Sequence, residues 1–164
     1  RTEMSNGTEQ PRVINRDRFL VAGLKHRGNN EQGELRQLWQ RFAERLEEFR
    51  KIAASGNTYG VIDNFDEDEG VFDYLAGVEV AAADDVPEDL EVWELDGQNY
   101  AVFDSSLNEL TNTIDHIYES WMPRSNYQRA PGAEFEFYGE DFDPDDPDSP
   151  MQIYIPVLPL AGGE

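Results

Sequence analysis

The feature that most constrains this chain is a weak echo between its halves, each of which reads strand, helix, strand, strand. In the first half, Arg18–Lys25 is a short buried strand. A helix follows over Glu31–Ala54, with Leu35, Leu38, Trp39, Phe42, Leu46, Phe49 and Ile52 on one face. Thr58–Asn64 and Val71–Ala81 are then strands, with Gly77 marking a bulge or a close backbone approach. After a linker at Ala82–Asp89 the order recurs. Leu90–Leu95 and Gln98–Asp104 are strand-like, and Asp96-Gly97 between them is a hairpin signal. Ser106 with Glu109 forms a capping box. The helix it opens carries Leu107, Leu110, Ile114, Ile117, Tyr118 and Trp121 on one side, and Pro123 is expected to end it. Strands at Ala133–Phe142 and Met151–Val157 complete the second half. Like elements lie about eighty residues apart, so that Tyr74 corresponds to Tyr154.

At 164 residues the chain is long enough for one domain with a real core. The expected division is a disordered segment over residues 1–12, a domain over 13–158 with halves at 13–81 and 90–157, and a tail over 159–164. Acidic residues number 35 against 13 basic ones, a formal charge of −22. Such an excess argues against binding a phosphate backbone or an anionic membrane. It reads either as adaptation to high salt, the favoured reading because acids occur in almost every segment, or as a field that attracts a cationic ligand. No apolar run reaches the length of a membrane span, no signal-peptide pattern opens the chain, and a cytoplasmic location is the default.

Few residues announce chemistry. There is no cysteine, and His26 and His116 lack metal-ligand spacing, so neither a metal nor a cofactor is expected. The loop Asp141–Ser149 lacks the glycine and closing glutamate of a calcium-binding loop and reads as solvated. Trp39 and Trp121 fall on apolar helix faces and read as core. Trp93 and Tyr100 either pack across strands or line a pocket. The stretch AEFEFYGEDF stands apart. Its alternation sends Glu136 and Tyr138 to one face and Phe135 and Phe137 to the other, and a carboxylate beside a tyrosine on a rigid strand suits an organic cation.

The segments LWQRF, YGV at Tyr59, FDYLAGVEV at Phe72–Val80, YAVF at Tyr100–Phe103, ESWMPRSNY at Glu119–Tyr127, FEFY at Phe135–Tyr138 and IYIPV at Ile153–Val157 occur in one order. Together they resemble the GyrI-like family of small-molecule-binding domains, over roughly Val13 to Val157. The resemblance implies an α+β fold of two pseudo-symmetric β-α-β-β halves, whose curved antiparallel sheets surround a central cleft. It implies binding of bulky, cationic organic molecules, as in the effector domains of AraC-type and MerR-type activators. Glu136 then becomes the charge-neutralising residue, with Tyr138, Tyr59, Trp93, Tyr100, Trp121 and Tyr154 as aromatic walls. Glu134 is expected on the outer rim. No helix-turn-helix precedes Val13, so direct nucleic-acid contact is not expected. The resemblance leaves two alternatives: hydrolysis of cyclopropane-bearing toxins with Glu136 as base, and a protein-interaction role such as gyrase modulation.

Overall fold

A computed structural model of the chain describes residues 11–161. The elements in order are β1 (Arg12–Arg16), β2 (Phe19–Gly28), α1 (Glu34–Glu44), α2 (Leu46–Ile52), β3 (Thr58–Asp66) and β4 (Val71–Val80). Then come β5 (Glu91–Leu95), β6 (Gln98–Ser105), α3 (Leu110–His116), α4 (Met122–Arg124), β7 (Tyr127–Arg129), β8 (Glu134–Tyr138) and β9 (Met151–Pro159). One antiparallel sheet runs β1-β6-β9-β8-β3-β4-β2-β5, with β7 added against β9. The fold is α+β, a curved sheet with helices on one face. Among the described residues no helix is long and apolar enough to cross a membrane.

The sheet is not assembled from local hairpins alone. Asp96-Gly97 does not join a hairpin, because β5 pairs with β2 while β6 pairs with β1 and β9. The register explains the departure. Arg12 pairs with Val102 and Arg16 with Gln98, and beyond the corner Phe19 pairs with Leu95 and Gly23 with Glu91. No residue is gained or lost across it. β1 with β2 and β5 with β6 are therefore two long strands that cross from one half to the other side by side. β1 was not expected, and it takes in Arg12, the last residue of the segment expected to be disordered. Of the rest of that segment, Pro11 has no regular structure and residues 1–10 lie outside those described.

Cross-strand pairing fixes which residues share a face. One row runs Leu24, Ala76, Gly60, Glu136, Ile153, Phe103, and it faces the helices. The neighbouring row, Leu75, Val61, Phe135, Tyr154, Val102, faces the opposite core, which also takes in Phe19, Val21, Tyr59, Leu95 and Tyr100. Gly77 sits opposite Gly23, where a Cβ would come within 2.0 Å of the Ala22 carbonyl, so the close approach read from the sequence is present.

The first helix is shorter than the periodicity suggests, and broken. Asn30 and Gly33 take left-handed backbone, so α1 starts at Glu34, with Asn30 Oδ1 accepting the Leu35 N–H. At Arg45 the chain leaves helical geometry, and its N–H bonds to the Phe42 carbonyl. The break turns α2 so that Phe49 stacks on Phe42 with ring centroids 4.3 Å apart. In the second half, the Ser106 side chain accepts the Glu109 N–H across the turn before α3, but Glu109 is itself the N-cap of α3 and its carboxylate accepts from Asn112 rather than returning to Ser106 as a capping box requires. Pro123 does not stop the helix. The turn Ile117–Trp121 widens to π geometry, in which Met122 N–H reaches back to Ile117, and helix continues to Arg124. Widened turns of this kind often mark functional places.

Candidate functional site

β8 carries two glutamates on the helix-covered face, in different surroundings. Glu134 is not on the rim. It accepts a hydrogen bond from the Tyr118 hydroxyl at 2.6 Å and pairs with Arg129 at 3.3 Å, and its side chain is 15% exposed. Glu136, one pleat further along, is partly buried and has no cation within ion-pair distance among the described residues. Its Oε1 instead accepts two phenolic hydrogen bonds, from Tyr74 at 2.6 Å and Tyr138 at 2.9 Å. Trp39 Nε1 donates in turn to the Tyr74 hydroxyl at 2.9 Å. Every bond to the carboxylate therefore falls on one oxygen. Oε2 has no protein partner among the described residues.

The backbone beneath makes this possible. Gly60 lies directly across from Glu136, and a Cβ there would sit 2.0 Å from the Tyr74 hydroxyl and 2.6 Å from Glu136 Oε1. An isolated glycine inside a strand signals such crowding. Above the carboxylate, Trp39 of α1 meets Tyr138 edge-on, with centroids 5.7 Å apart. Phe142, from the acidic loop, packs on the other side of Tyr138 at 4.7 Å. Trp121 stands on the same face, edge-on to Phe103 and stacked on Tyr127.

Electrostatics follow from this enclosure. Burial raises the Glu136 pKa above the usual carboxylate range, and the charge of Glu134 adds to the rise, while the Tyr74 and Tyr138 hydroxyls oppose it by bonding the ionised form. Burial, reinforced by Glu136, pushes both phenols well above their ordinary value. They stay protonated and serve as fixed donors. A carboxylate held this way, with one oxygen uncommitted, can take a cation or accept a proton.

The seven residues picked from the sequence divide between the two faces. Glu136, Tyr138 and Trp121 share the helix-covered face. Tyr59, Tyr100 and Tyr154 are buried in the opposite core, with Trp93 packed against it. Tyr59 donates to Glu79 at 3.2 Å, and burial pushes its pKa up to about 12. Trp93 and Tyr100 do line a cavity, of about 360 Å3, but it opens on their own side of the sheet. Sequence reasoning missed three contributors on the helix side. Tyr74 and Gly60 read as ordinary strand residues and Trp39 as core. The glycine in TYGVIDN was the available signal.

Comparison with known proteins places the chain. The integron-associated effector binding protein family matches residues 12–157, nearly the whole described region. The chain belongs to this GyrI-like effector-binding family. Small-molecule binding is the common property of such domains. The transcriptional regulator BrlR of Pseudomonas aeruginosa is 30% identical over 149 residues, 89% of this chain, and the chain spans about half of it, 54%. Solved structures share the fold, among them the two that follow. SAV2435, solved bound to tetraphenylphosphonium, superposes with a TM-score of 0.73 at 17% identity, over 91% of this chain and 94% of that one. The integron cassette protein VCH_CASS2 of Vibrio cholerae gives 0.64 at 18% identity, over 90% and 95%.

Proposed function

We propose that this effector-binding domain takes bulky organic cations on its helix-covered face, with Glu136 as the counter-charge. The observation that carries the reading is the bonding of Glu136: two phenol donors on Oε1 and, among the described residues, nothing on Oε2 and no paired cation. A neutral ligand would leave that charge uncompensated. A cation roughly 4 Å away gains about 4 kcal/mol at an effective dielectric near 20, before desolvation. The faces of Trp39 and Tyr138 each add about 0.5–2 kcal/mol by cation–π contact. Trp39 and Phe142 are half-buried and flank the buried Tyr138, so they are the side chains that move aside for a bulky guest. Tetraphenylphosphonium on SAV2435 supports this ligand class. In a transcription regulator the same event is sensing; in a chain acting alone it is sequestration.

Calorimetric titration of the full chain with tetraphenylphosphonium tests the reading. Micromolar binding, about −8 kcal/mol, is expected, and Glu136→Gln should weaken it by about tenfold or more. The control is Glu47→Gln, whose side chain is 81% exposed and should matter little. Equal losses in the two variants would assign binding to the overall acidic field and remove Glu136 from the site. Turnover of a cyclopropane-bearing substrate that disappears in Glu136→Gln would replace binding by hydrolysis, with the same carboxylate as base.

A further inference from the structure

Glu134 is the nearest carboxylate along β8 to the proposed counter-charge, and the chain treats it differently. Glu134 lies across from Ile62 and Glu136 across from Gly60, so the two acids share the helix-covered face with their Cα atoms about 7 Å apart. That is close enough for one charge to act on the other, and Glu134 helps to raise the Glu136 pKa. Left unpaired, the two would offer a guest a pair of negative charges at the spacing of a small dication.

The chain pairs one of them. Arg129, at the end of β7, places Nη2 3.3 Å from Glu134 Oε1. Its Nε donates to the Tyr118 hydroxyl at 3.2 Å, and that hydroxyl donates to the same carboxylate oxygen at 2.6 Å. Tyr118 is supplied by the widened turn Ile117–Trp121. The guanidinium is also tied to backbone, through the Gly132 carbonyl at 3.1 Å and the Ala130 carbonyl. These acceptors fix it beside Glu134, and Glu136 is not one of them.

We propose, building on the reading of Glu136 as counter-charge, that Arg129 sets the charge class of the ligand and makes the cleft select singly charged cations over dications. With both carboxylates ionised, the guanidinium takes the local charge from minus two to minus one. Glu136 matches a single positive charge. The second charge of a dication meets a carboxylate that already has its cation, and displacing Arg129 would strip a partly buried guanidinium of its ion pair.

The test compares two flat cations of one shape, methylphenylpyridinium with a single charge and methyl viologen with two. Each is titrated calorimetrically into the full chain at fixed ionic strength. Wild type should bind the monocation more tightly, and Glu136→Gln should weaken it about tenfold. Arg129→Met uncovers Glu134, and should tighten the monocation about threefold and the dication about tenfold, because the gain scales with ligand charge. Glu134→Gln keeps the side-chain shape but leaves Arg129 unpaired, so both ligands should weaken by those factors. Combining the two substitutions restores the charge count and should return both affinities to near wild type. A purely structural role for Arg129 would not move the ratio of the two affinities. A wild-type preference for methyl viologen would overturn the proposal. So would an unchanged ratio in Arg129→Met, or no recovery in the double variant; with binding still weakened by Glu136→Gln, either result removes the role of Arg129 alone. Methylphenylpyridinium binding that is indifferent to Glu136→Gln would overturn the underlying reading as well.

Discussion

Two glutamates on opposite faces of one sheet make a natural comparison. Glu79, on β4, points to the inner core and finds a complete set of partners. Arg16 pairs with it at 3.0 Å, the Tyr59 hydroxyl donates at 3.2 Å, and the same guanidinium lies 3.7 Å from the Phe19 ring centroid. Glu136 has the phenols but not the guanidinium. The inner face thus holds a carboxylate, an aromatic ring and a cation already assembled. The helix-covered face holds the carboxylate and the rings. The difference teaches that partly burying an acid is not in itself a sign of function. What distinguishes a site is the partner that the protein withholds.

The sharpest way to break the contrast is Gly60→Ala. Its Cβ would collide with both the Tyr74 hydroxyl and Glu136 Oε1. It should abolish measurable tetraphenylphosphonium binding and cost about 1–3 kcal/mol in urea denaturation. Arg16→Met comes next, since it turns Glu79 into a second unpaired carboxylate. The side chains of the pair are 23% and 29% exposed, so the loss should be about 1–2 kcal/mol, short of the figure for a fully buried pair. Adding Glu79→Gln should recover part of it, and tetraphenylphosphonium affinity should not change.

The acidic surface as a whole gives a smaller and graded effect. If its charge is a salt adaptation, melting temperature should climb by several degrees between low and molar potassium chloride. A flat profile would leave the cation-attracting field as the better account of the charge.

The smallest effect is a pH signature of Glu136. Its folded-state pKa is raised, so the folded chain holds that proton more tightly than the unfolded chain does. The resulting stability is present below the unfolded carboxylate value, about 4.3, and is lost as pH rises through the folded value. Glu136→Gln carries no such term. Relative to wild type its melting temperature should therefore rise as pH increases through that window, and the difference should be constant below it. Cation affinity in the wild type should move the same way, weakening as pH falls and Glu136 protonates.

The elements were largely legible in the sequence, because alternation in EFEFY and the apolar stripes of the helices follow from local periodicity. Glu136 and Tyr138 sharing a face is such a case. What the pattern does not contain is which face of the sheet each strand presents to which core. Matching Tyr74 with Tyr154 is off by one residue. Tyr74 packs under the helices, whereas on β9 it is Ile153 that does so, and Tyr154 belongs to the other core. Since side chains alternate, a slip of one exchanges the faces. The family resemblance groups Tyr59, Tyr100 and Tyr154 with Glu136, but motif order carries no information on the pleat, and all three lie in the opposite core. Nor could Asp96-Gly97 reveal its crossing, because a turn signal describes local backbone and not the strand that arrives from far away.

The side-by-side crossing of the two long strands bears on how the protein comes into being. Arg12 leaves the ribosome long before Val102, and until then β1 has nothing to lie against. The same holds for β2 along its outer edge before Leu95 arrives. Contacts this distant in sequence slow the search for the native state. A fragment stopped near Ala81 would display two unsatisfied strand edges, and another copy of the same fragment offers the strands nearest in kind to cover them. Each half is therefore better viewed as one partner of a pair than as a small domain in its own right, with Ala82–Asp89 the tether that keeps the pair within one molecule.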